Sequence, residues 1–236
     1  MTAFHERTKF LLREAGVCTH ELEALDYPAI HTVPPMVPPG FGVYELGMPL
    51  TRDARMGWGL WGGTGNGKTW LMVQALAEVV ERRVRACGRP SAALPPCDHW
   101  MMWVSWPEKA DSLKRNVIGG GGAIKTWIQE AKWVRFLVLD DLGGERSRGE
   151  DDYARGVLSE VLDTRYRKGL PVWWTSNLDP EGMVDAYKSR LASRILGTWR
   201  PLNVQGEDLR LGAPLPSPVA APPPVVDFRK AAGGDA

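Results

Sequence analysis

The sequence lacks the features of a secreted, a membrane-spanning or a strongly charged protein. Its 236 residues include only three cysteines and no CxxC pair, so we expect a reduced, cytoplasmic protein without a disulfide framework. No apolar run reaches the length of a membrane span, and charges stand near the start where a signal peptide would be apolar. Lysine and arginine number 29 against 28 acidic residues, and this balance excludes a polycation that holds nucleic acid by bulk charge alone.

The composition indicates one globular domain between two proline-rich terminal segments. Hydrophobic residues make up 44% and charged residues 24%, so the middle of the chain can bury a core. Residues 1–45 end in a proline-rich stretch, and we interpret them as an N-terminal partner-binding segment with its linker. Residues 212–236 are rich in proline and alanine and are expected to be a disordered tail. The domain itself is therefore placed at residues 46–211.

Within that domain, short apolar runs alternate with amphipathic stretches. The apolar runs predict strands at 56–61, 100–105, 136–139 and 172–175. The amphipathic stretches predict helices at 69–86, 107–116, 124–132 and 153–168. Strands that alternate with helices indicate an α/β fold, in which a parallel sheet is covered by helices on both faces.

The segment between the first predicted strand and helix matches the pattern GxxxxGK[ST]. Its residues are Gly62, Gly63, Thr64, Gly65, Asn66, Gly67, Lys68 and Thr69. Glycines let such a loop curl so that its N–H groups point at phosphate oxygens, and the following helix adds the positive end of its dipole. Lys68 can neutralise charge on the β- and γ-phosphates, and the hydroxyl of Thr69 can bind Mg²⁺. The pattern in this context predicts a nucleotide site.

Two aspartates follow the buried strand at 136–139. Asp140 and Asp141 end the run FLVLDDLG, and ligands bind at the carboxyl ends of strands in open α/β sheets. We expect Asp140 to hold the Mg²⁺ and Asp141 to be the base that orients the attacking water. Asp140 follows Lys68 by 72 positions, which leaves room for a further strand and its helices. That spacing favours a sheet in which another strand lies between the two site strands.

A third polar group ends the strand at 172–175. The sequence there is Thr175-Ser176-Asn177, and a polar side chain at that strand tip can sense a γ-phosphate. The same tripeptide is also compatible with ordinary Asx and Ser turn chemistry, so both interpretations stay open at this point.

Taken together, these segments resemble the AAA+ ATPases of the DnaC/DnaI helicase-loader and IstB transposition-helper group. The matching segments, within residues 55–211, are GGTGNGKTWL, FLVLDDLG, LSEVLDTRYRKGLPVWWTSNL, SRLASRI and PLNVQGEDLR. The resemblance implies an α/β P-loop NTPase fold of the AAA+ and ASCE type. The core that it implies is minimal, with a five-stranded parallel sheet between helices and no helical lid domain. It also implies an ATPase that places a replicative helicase on single-stranded DNA.

The resemblance further assigns roles at the site. Asn177 takes the sensor role, and an arginine after the TSN strand reaches the ATP site of a neighbouring subunit. Arg190 and Arg194 are four residues apart and share one helix face, and we favour Arg194. The implied assembly is a self-association with ATP sites at the subunit interfaces. Asp141 stands where many AAA+ proteins have glutamate, and its shorter side chain favours slow turnover or use as an ATP switch. We expect hydrolysis to be stimulated by DNA or a partner.

The resemblance also suggests where DNA and a partner would bind. The candidate contacts to single-stranded DNA are Lys114, Arg115, Lys125, Trp127 and Lys132, which combine cations with an aromatic ring. The candidate docking segment for the helicase is the short amphipathic stretch at 4–17, as a helix in a groove.

Three other functions remain compatible with parts of the sequence. An IstB-like transposition helper would share the core but engage a transposase on duplex DNA. An ATP-gated adaptor would bind nucleotide with little hydrolysis. A small-molecule P-loop kinase is disfavoured, because it would need an acceptor pocket and an arginine-rich lid after the core.

Overall fold

The computed structural model describes residues 3–26, 57–86, 101–117, 122–144, 152–205 and residue 208. The helices are α1 (Ala3–Glu14), α2 (Thr19–Leu22), α3 (Lys68–Ala86), α4 (Trp106–Val117), α5 (Gly122–Trp133), α6 (Asp152–Lys168) and α7 (Pro180–Thr198), with a 3₁₀ turn at Glu23–Asp26. The strands are β1 (Gly57–Trp61), β2 (Met101–Ser105), β3 (Phe136–Leu142), β4 (Val172–Ser176) and β5 (Trp199–Asn203). Each strand and helix expected from the sequence is present, with ends that differ by at most three residues.

The five strands form one parallel sheet in the order β2-β3-β4-β1-β5. The prediction that a strand separates the two site strands is therefore confirmed, and that strand is β4. The strand in the sequence interval between the two motifs is β2, which lies at the edge of the sheet. The fifth strand, β5, comes from a segment that the apolar runs did not identify.

Helices cover both faces of the sheet, as the alternation predicted. One core cluster joins α3 to residues of β1 and of the N-terminal helices, and it contains Leu71, Met72 and Val79 at or below 2% exposure. The other cluster joins α4, α5, α6 and α7 to the opposite face. Its residues recur three or four positions apart along α6, as in Leu158, Val161 and Leu162. Burial on both sides explains why the strands are almost entirely apolar.

The N-terminal helix belongs to the core of the sheet domain. Leu11 and Leu12 are at most 1% exposed and pack in the same cluster as the α3 side chains. The main-chain N–H of Trp103, on edge strand β2, donates to the carbonyl of Ala15 at 2.7 Å. This placement corrects the helix-in-groove interpretation of residues 4–17, because Leu11, Leu12 and Val17 of that stretch already pack in the protein's own core.

Several expectations from the sequence fall outside the described residues. They are the linker and the domain boundary at residue 45, the tail at 212–236, and the absence of a helical lid after the core. Among the helices that the structure describes, none combines the length and the apolar character needed to cross a membrane.

Candidate nucleotide-binding site

The phosphate loop connects β1 to α3 and is held at the tip of β5. The side chain of Asn66, 1% exposed, donates to the carbonyl of Val204, which directly follows β5. Gly62, Gly65 and Gly67 have φ angles of 149°, 74° and 86°, values that L side chains rarely adopt. A Cβ at Gly62 would lie 2.1 Å from the Val204 carbonyl oxygen. These three glycines are therefore needed for the curl of the loop, and Gly62 also for its close contact with the residue after β5.

Lys68 is the first residue of α3 and lies inside this curl. Its ammonium group donates to the carbonyls of Gly62 and Gly63 at 3.0 and 2.6 Å and to the Asn66 side-chain oxygen at 3.0 Å. The residue is only 7% exposed, and the positive end of the helix dipole lies at the same place. A buried cation and a helix N-terminus thus lie together inside a glycine-rich curl, which is an arrangement that suits a polyphosphate.

The two aspartates occupy a bulge in β3. In the pairing of β3 with β4, Leu139 is opposite Trp174 and Leu142 is opposite Ser176, so β3 carries one extra residue at Asp140–Asp141. Asp141 has a φ of 58°, and the N–H of Gly144 donates to its carbonyl at 3.0 Å. A bulge re-aims side chains beside it. This irregularity turns two consecutive carboxylates toward the end of the sheet, where a regular strand would place them on opposite faces.

Asp140 faces the first turn of α3. Its Oδ1 accepts hydrogen bonds from the hydroxyls of Thr69 at 3.1 Å and Thr175 at 2.6 Å. Burial raises the pKa of Asp140, as does the charge of Asp141, whereas the two hydroxyl bonds and the charge of Lys68 lower the pKa. The hydroxyl of Thr69 and the carboxylate of Asp140 form the oxygen donor set that Mg²⁺ prefers, so the residues fit that ion.

Asp141 and Asn177 meet across the tips of β3 and β4. The Asn177 amide donates to Oδ1 of Asp141 at 2.9 Å, and both side chains are accessible to solvent. Thr175 joins the pair to the metal-facing aspartate, because its hydroxyl accepts from the Asp141 N–H at 2.9 Å and donates to Asp140. The sequence identified the TSN turn, but it did not assign Thr175, whose hydroxyl holds both aspartates in place.

A cavity of about 570 Å³ opens beside these groups, at the carboxyl ends of β1, β4 and β5. Gly63 and Asn177 line it on two sides, and Asn203 lines it from β5. The phosphate loop, Asn177 and the cavity therefore lie together at the carboxyl ends of the strands, where the sequence predicted a ligand.

The two candidate arginines lie on α7 and share one acidic partner on α6. The Arg190 guanidinium is 3.3 Å from one oxygen of Asp163, and Nε of Arg194 is 2.5 Å from the other. Arg194 also lies over the ring of Tyr166, with 5.1 Å from Cζ to the ring centroid. The side chain of Arg190 is 78% exposed, whereas that of Arg194 is 25% exposed. The predicted shared face is confirmed by the common partner.

The arginine of the LDTRY segment (residues 162–166) has a structural role that the sequence did not reveal. Arg165 is fully buried on α6, and burial lowers its pKa to about 9. Its guanidinium donates to four carbonyls, those of Ala131, Val134, Arg135 and Pro171, at 2.6–3.3 Å. One side chain thereby joins the end of α5 to the starts of β3 and β4, which fixes these two strands relative to each other.

The candidate DNA contacts divide into exposed and occupied side chains. Lys125 and Arg115 are exposed, and Lys114 is partly exposed, at 3.7 Å from Asp111. Trp127 is half-buried, with the ammonium group of Lys109 4.7 Å from the centre of its ring. The prediction that Lys132 contacts DNA is wrong, because the residue is only 9% exposed and its ammonium group is 2.5 Å from the Glu160 carboxylate. Lys132 therefore stabilises the contact between α5 and α6.

Comparison with known proteins gives structural relatives only. No protein-family model matches the sequence, and no curated protein matches it. The structure is similar to that of the DnaC helicase loader, with a TM-score of 0.54 and 18% identity over 69% of this chain and 86% of that one. It is also similar to a candidate primosome component from Streptococcus pyogenes serotype M3, with a TM-score of 0.50 and 22% identity over 70% and 76% of the two chains.

A third similar structure contains ligands. It is the replication initiator DnaA bound to AMPPCP and single-stranded DNA, with a TM-score of 0.52 and 18% identity over 70% of this chain and 46% of that one. At these identities the likeness establishes the fold. The chain therefore has the α/β P-loop NTPase core of DnaC and DnaA, and the resemblance to the DnaC group that the motifs suggested is confirmed at the level of the fold.

Proposed function

We propose that the chain is an ATP-binding and ATP-hydrolysing AAA+ protein that loads a replicative helicase on single-stranded DNA. The observation that carries the proposal is the contact between its two motifs. Thr69, at the end of the phosphate loop, lies 3.1 Å from Asp140, and Asp141 and Asn177 lie beside that pair. A phosphate loop and a pair of strand-end carboxylates in contact are the parts that cleavage of a nucleoside triphosphate needs.

The chemistry follows from those parts. Water attacks the γ-phosphorus, the bond to the β–γ bridging oxygen breaks, and ADP and inorganic phosphate leave. Asp141 accepts the proton of the water, and the amide of Asn177 holds Asp141 in position. Lys68 and the loop N–H groups bind the phosphates. When bound, Mg²⁺ at Thr69 and Asp140 would neutralise phosphate charge. Because an aspartate is shorter than the glutamate of many AAA+ proteins, we expect slow turnover.

The arginine pair and the exposed cations support the finer parts of the proposal. Arg190 and Arg194 would stabilise developing charge at a neighbour's ATP site, which makes hydrolysis depend on self-association. Lys114, Arg115, Lys125 and Trp127 would contact single-stranded DNA. A helicase would bind outside the apolar face of α1, because that face packs in the core.

The first experiment measures nucleotide binding. Lys68→Ala removes the ammonium group from the loop. We expect the affinity for a fluorescent ATP analogue to fall at least about tenfold, because a charge-assisted hydrogen bond to phosphate is lost. Lys125→Ala is the matched control, because it removes an exposed lysine from α5 and leaves the loop intact. Equal affinities of Lys68→Ala and the parent, in proteins with identical circular dichroism, would refute the nucleotide site.

Two further measurements separate the alternatives. Single-turnover ATP cleavage, with and without single-stranded DNA, distinguishes an ATPase from an ATP-gated adaptor that binds without hydrolysis. Capture of partners from the native host distinguishes a helicase loader, which brings down a hexameric helicase, from an IstB-like helper, which brings down a transposase.

A further inference from the structure

The turn that carries the catalytic aspartate is hydrogen-bonded to the helix that carries the arginine pair. The main-chain N–H of Gly143 donates to the hydroxyl of Tyr187 at 2.7 Å. Gly143 is two residues after Asp141, and Tyr187 lies on α7, three residues before Arg190. This hydrogen bond is a direct polar contact between the acidic turn and α7.

The backbone of α7 breaks one residue after that contact. Lys188 has φ 63° and ψ 158°, so α7 consists of two helical halves joined at a non-helical residue. A non-glycine side chain in this region is strained, and such strain persists only where the surrounding structure holds it. The second half carries both arginines, so the direction of the break decides where they point.

Both sides of the break are anchored in one core. Tyr187 is 2% exposed and packs in the cluster that contains Met183 before the break and Leu191 and Ile195 after it. The acidic turn is anchored as well, since the Ser176 hydroxyl donates to the Leu142 carbonyl at 2.6 Å. The acidic turn and both halves of α7 are therefore connected through hydrogen bonds and one packed core.

We propose that Tyr187 is a positioning residue that couples the acidic turn of one subunit to the Arg190–Arg194 pair which that subunit presents to its neighbour. The inference rests on the proposed function, because it assumes hydrolysis with an arginine supplied between subunits. A change at Asp141 moves the Gly143 N–H, the Tyr187 hydroxyl follows, and the arginine-bearing half of α7 turns about Lys188. Each site thereby acts on the next one, a coupling that needs no contact between Tyr187 and the nucleotide.

The test removes the hydroxyl and retains the ring. In Tyr187→Phe we expect the affinity for an ATP analogue and KM to stay within about twofold, while kcat at saturating ATP falls at least about tenfold. Tyr153→Phe is the matched control, because Tyr153 is a tyrosine exposed at the start of α6 and should change neither constant. A kcat of Tyr187→Phe equal to that of the parent would overturn the proposal.

A double-mutant cycle separates positioning from a general structural effect. In a background that carries Arg190→Ala and Arg194→Ala, Tyr187→Phe should cause no further loss of kcat, because the hydroxyl acts through the arginines. The same factor of loss in both backgrounds would overturn the coupling. If Tyr187→Phe does not fold, Lys188→Gly replaces it. That variant loosens the exposed hinge and should lower kcat in the parent but not in the arginine-free background.

The outcome also distinguishes this inference from the proposed function. A parent protein that binds no ATP refutes both. A parent that hydrolyses ATP with a Tyr187-independent kcat leaves the ATPase standing and removes the coupling.

Discussion

Substitution of Leu12 by alanine tests whether α1 is part of the core of the P-loop NTPase fold. Leu12 is fully buried and packs in the cluster that contains the α3 side chains. Truncation of a buried leucine to alanine costs about 2–5 kcal/mol of unfolding free energy, from lost transfer energy and the cavity that remains. We take about 3 kcal/mol as the expectation. For a domain of this size this lowers the melting temperature by about 6–12 °C.

The assay is thermal or urea unfolding followed by circular dichroism, with Phe10→Ala as the control. Phe10 lies on the same helix but is 46% exposed, so its loss should shift the midpoint much less. Equal midpoints for Leu12→Ala and Phe10→Ala would refute the packing of α1 on the sheet domain. Such a result would restore an independent N-terminal docking helix.

The same reasoning applies to a truncated protein. Removal of residues 1–26 takes four large side chains from the core, those of Leu11, Leu12, Val17 and Leu22. At about 1.5–3 kcal/mol for each buried side chain, the loss is about 6–12 kcal/mol. This equals most of the total stability of an ordinary domain. A deletion of residues 1–26 made to remove partner binding is therefore expected to unfold the P-loop NTPase core as well.

Two further substitutions concern the arginines. Arg194→Ala should leave ATP binding by the protomer unchanged. DNA-stimulated hydrolysis should fall by on the order of tenfold or more, because the charge proposed for a neighbouring site is lost. Equal stimulated rates in variant and parent would count against that role. Arg165→Lys should lower the free energy of unfolding by about 1–3 kcal/mol, because an ammonium group with three donors cannot satisfy the four carbonyls that the guanidinium binds. The measurement is urea unfolding, and a midpoint equal to that of the parent would show that those bonds contribute little.

The order of elements and the phosphate loop could be predicted from the sequence because each has a local cause. Glycine spacing determines where the loop can curl, and apolar runs of four to six residues are typical of buried parallel strands. The structure agrees at Gly62 and Lys68, and at the start of β3. These features need no knowledge of distant parts of the chain.

The features that the sequence did not reveal depend on contacts between distant segments. Thr175 acquires its role only when β4 lies between β1 and β3, which brings its hydroxyl to Asp140. Lys132 resembled a DNA contact until α6 placed Glu160 beside it. Residues 4–17 were amphipathic in either interpretation, and only the tertiary structure decides whether a partner or the protein's own sheet covers the apolar side.

The LDTRY segment, residues 162–166, is a local sequence motif whose side chains acquire their roles from contacts with distant segments. Asp163 binds the arginine pair, Arg165 fixes the starts of β3 and β4, and Tyr166 packs under Arg194. None of the three contacts the phosphate loop in the geometry described above. A phosphate loop with strand-end carboxylates indicates triphosphate chemistry in general, whereas this segment determines where the arginines lie relative to that chemistry. The part of the resemblance that is most specific to the DnaC group is thus the part expected to control how one subunit meets the next.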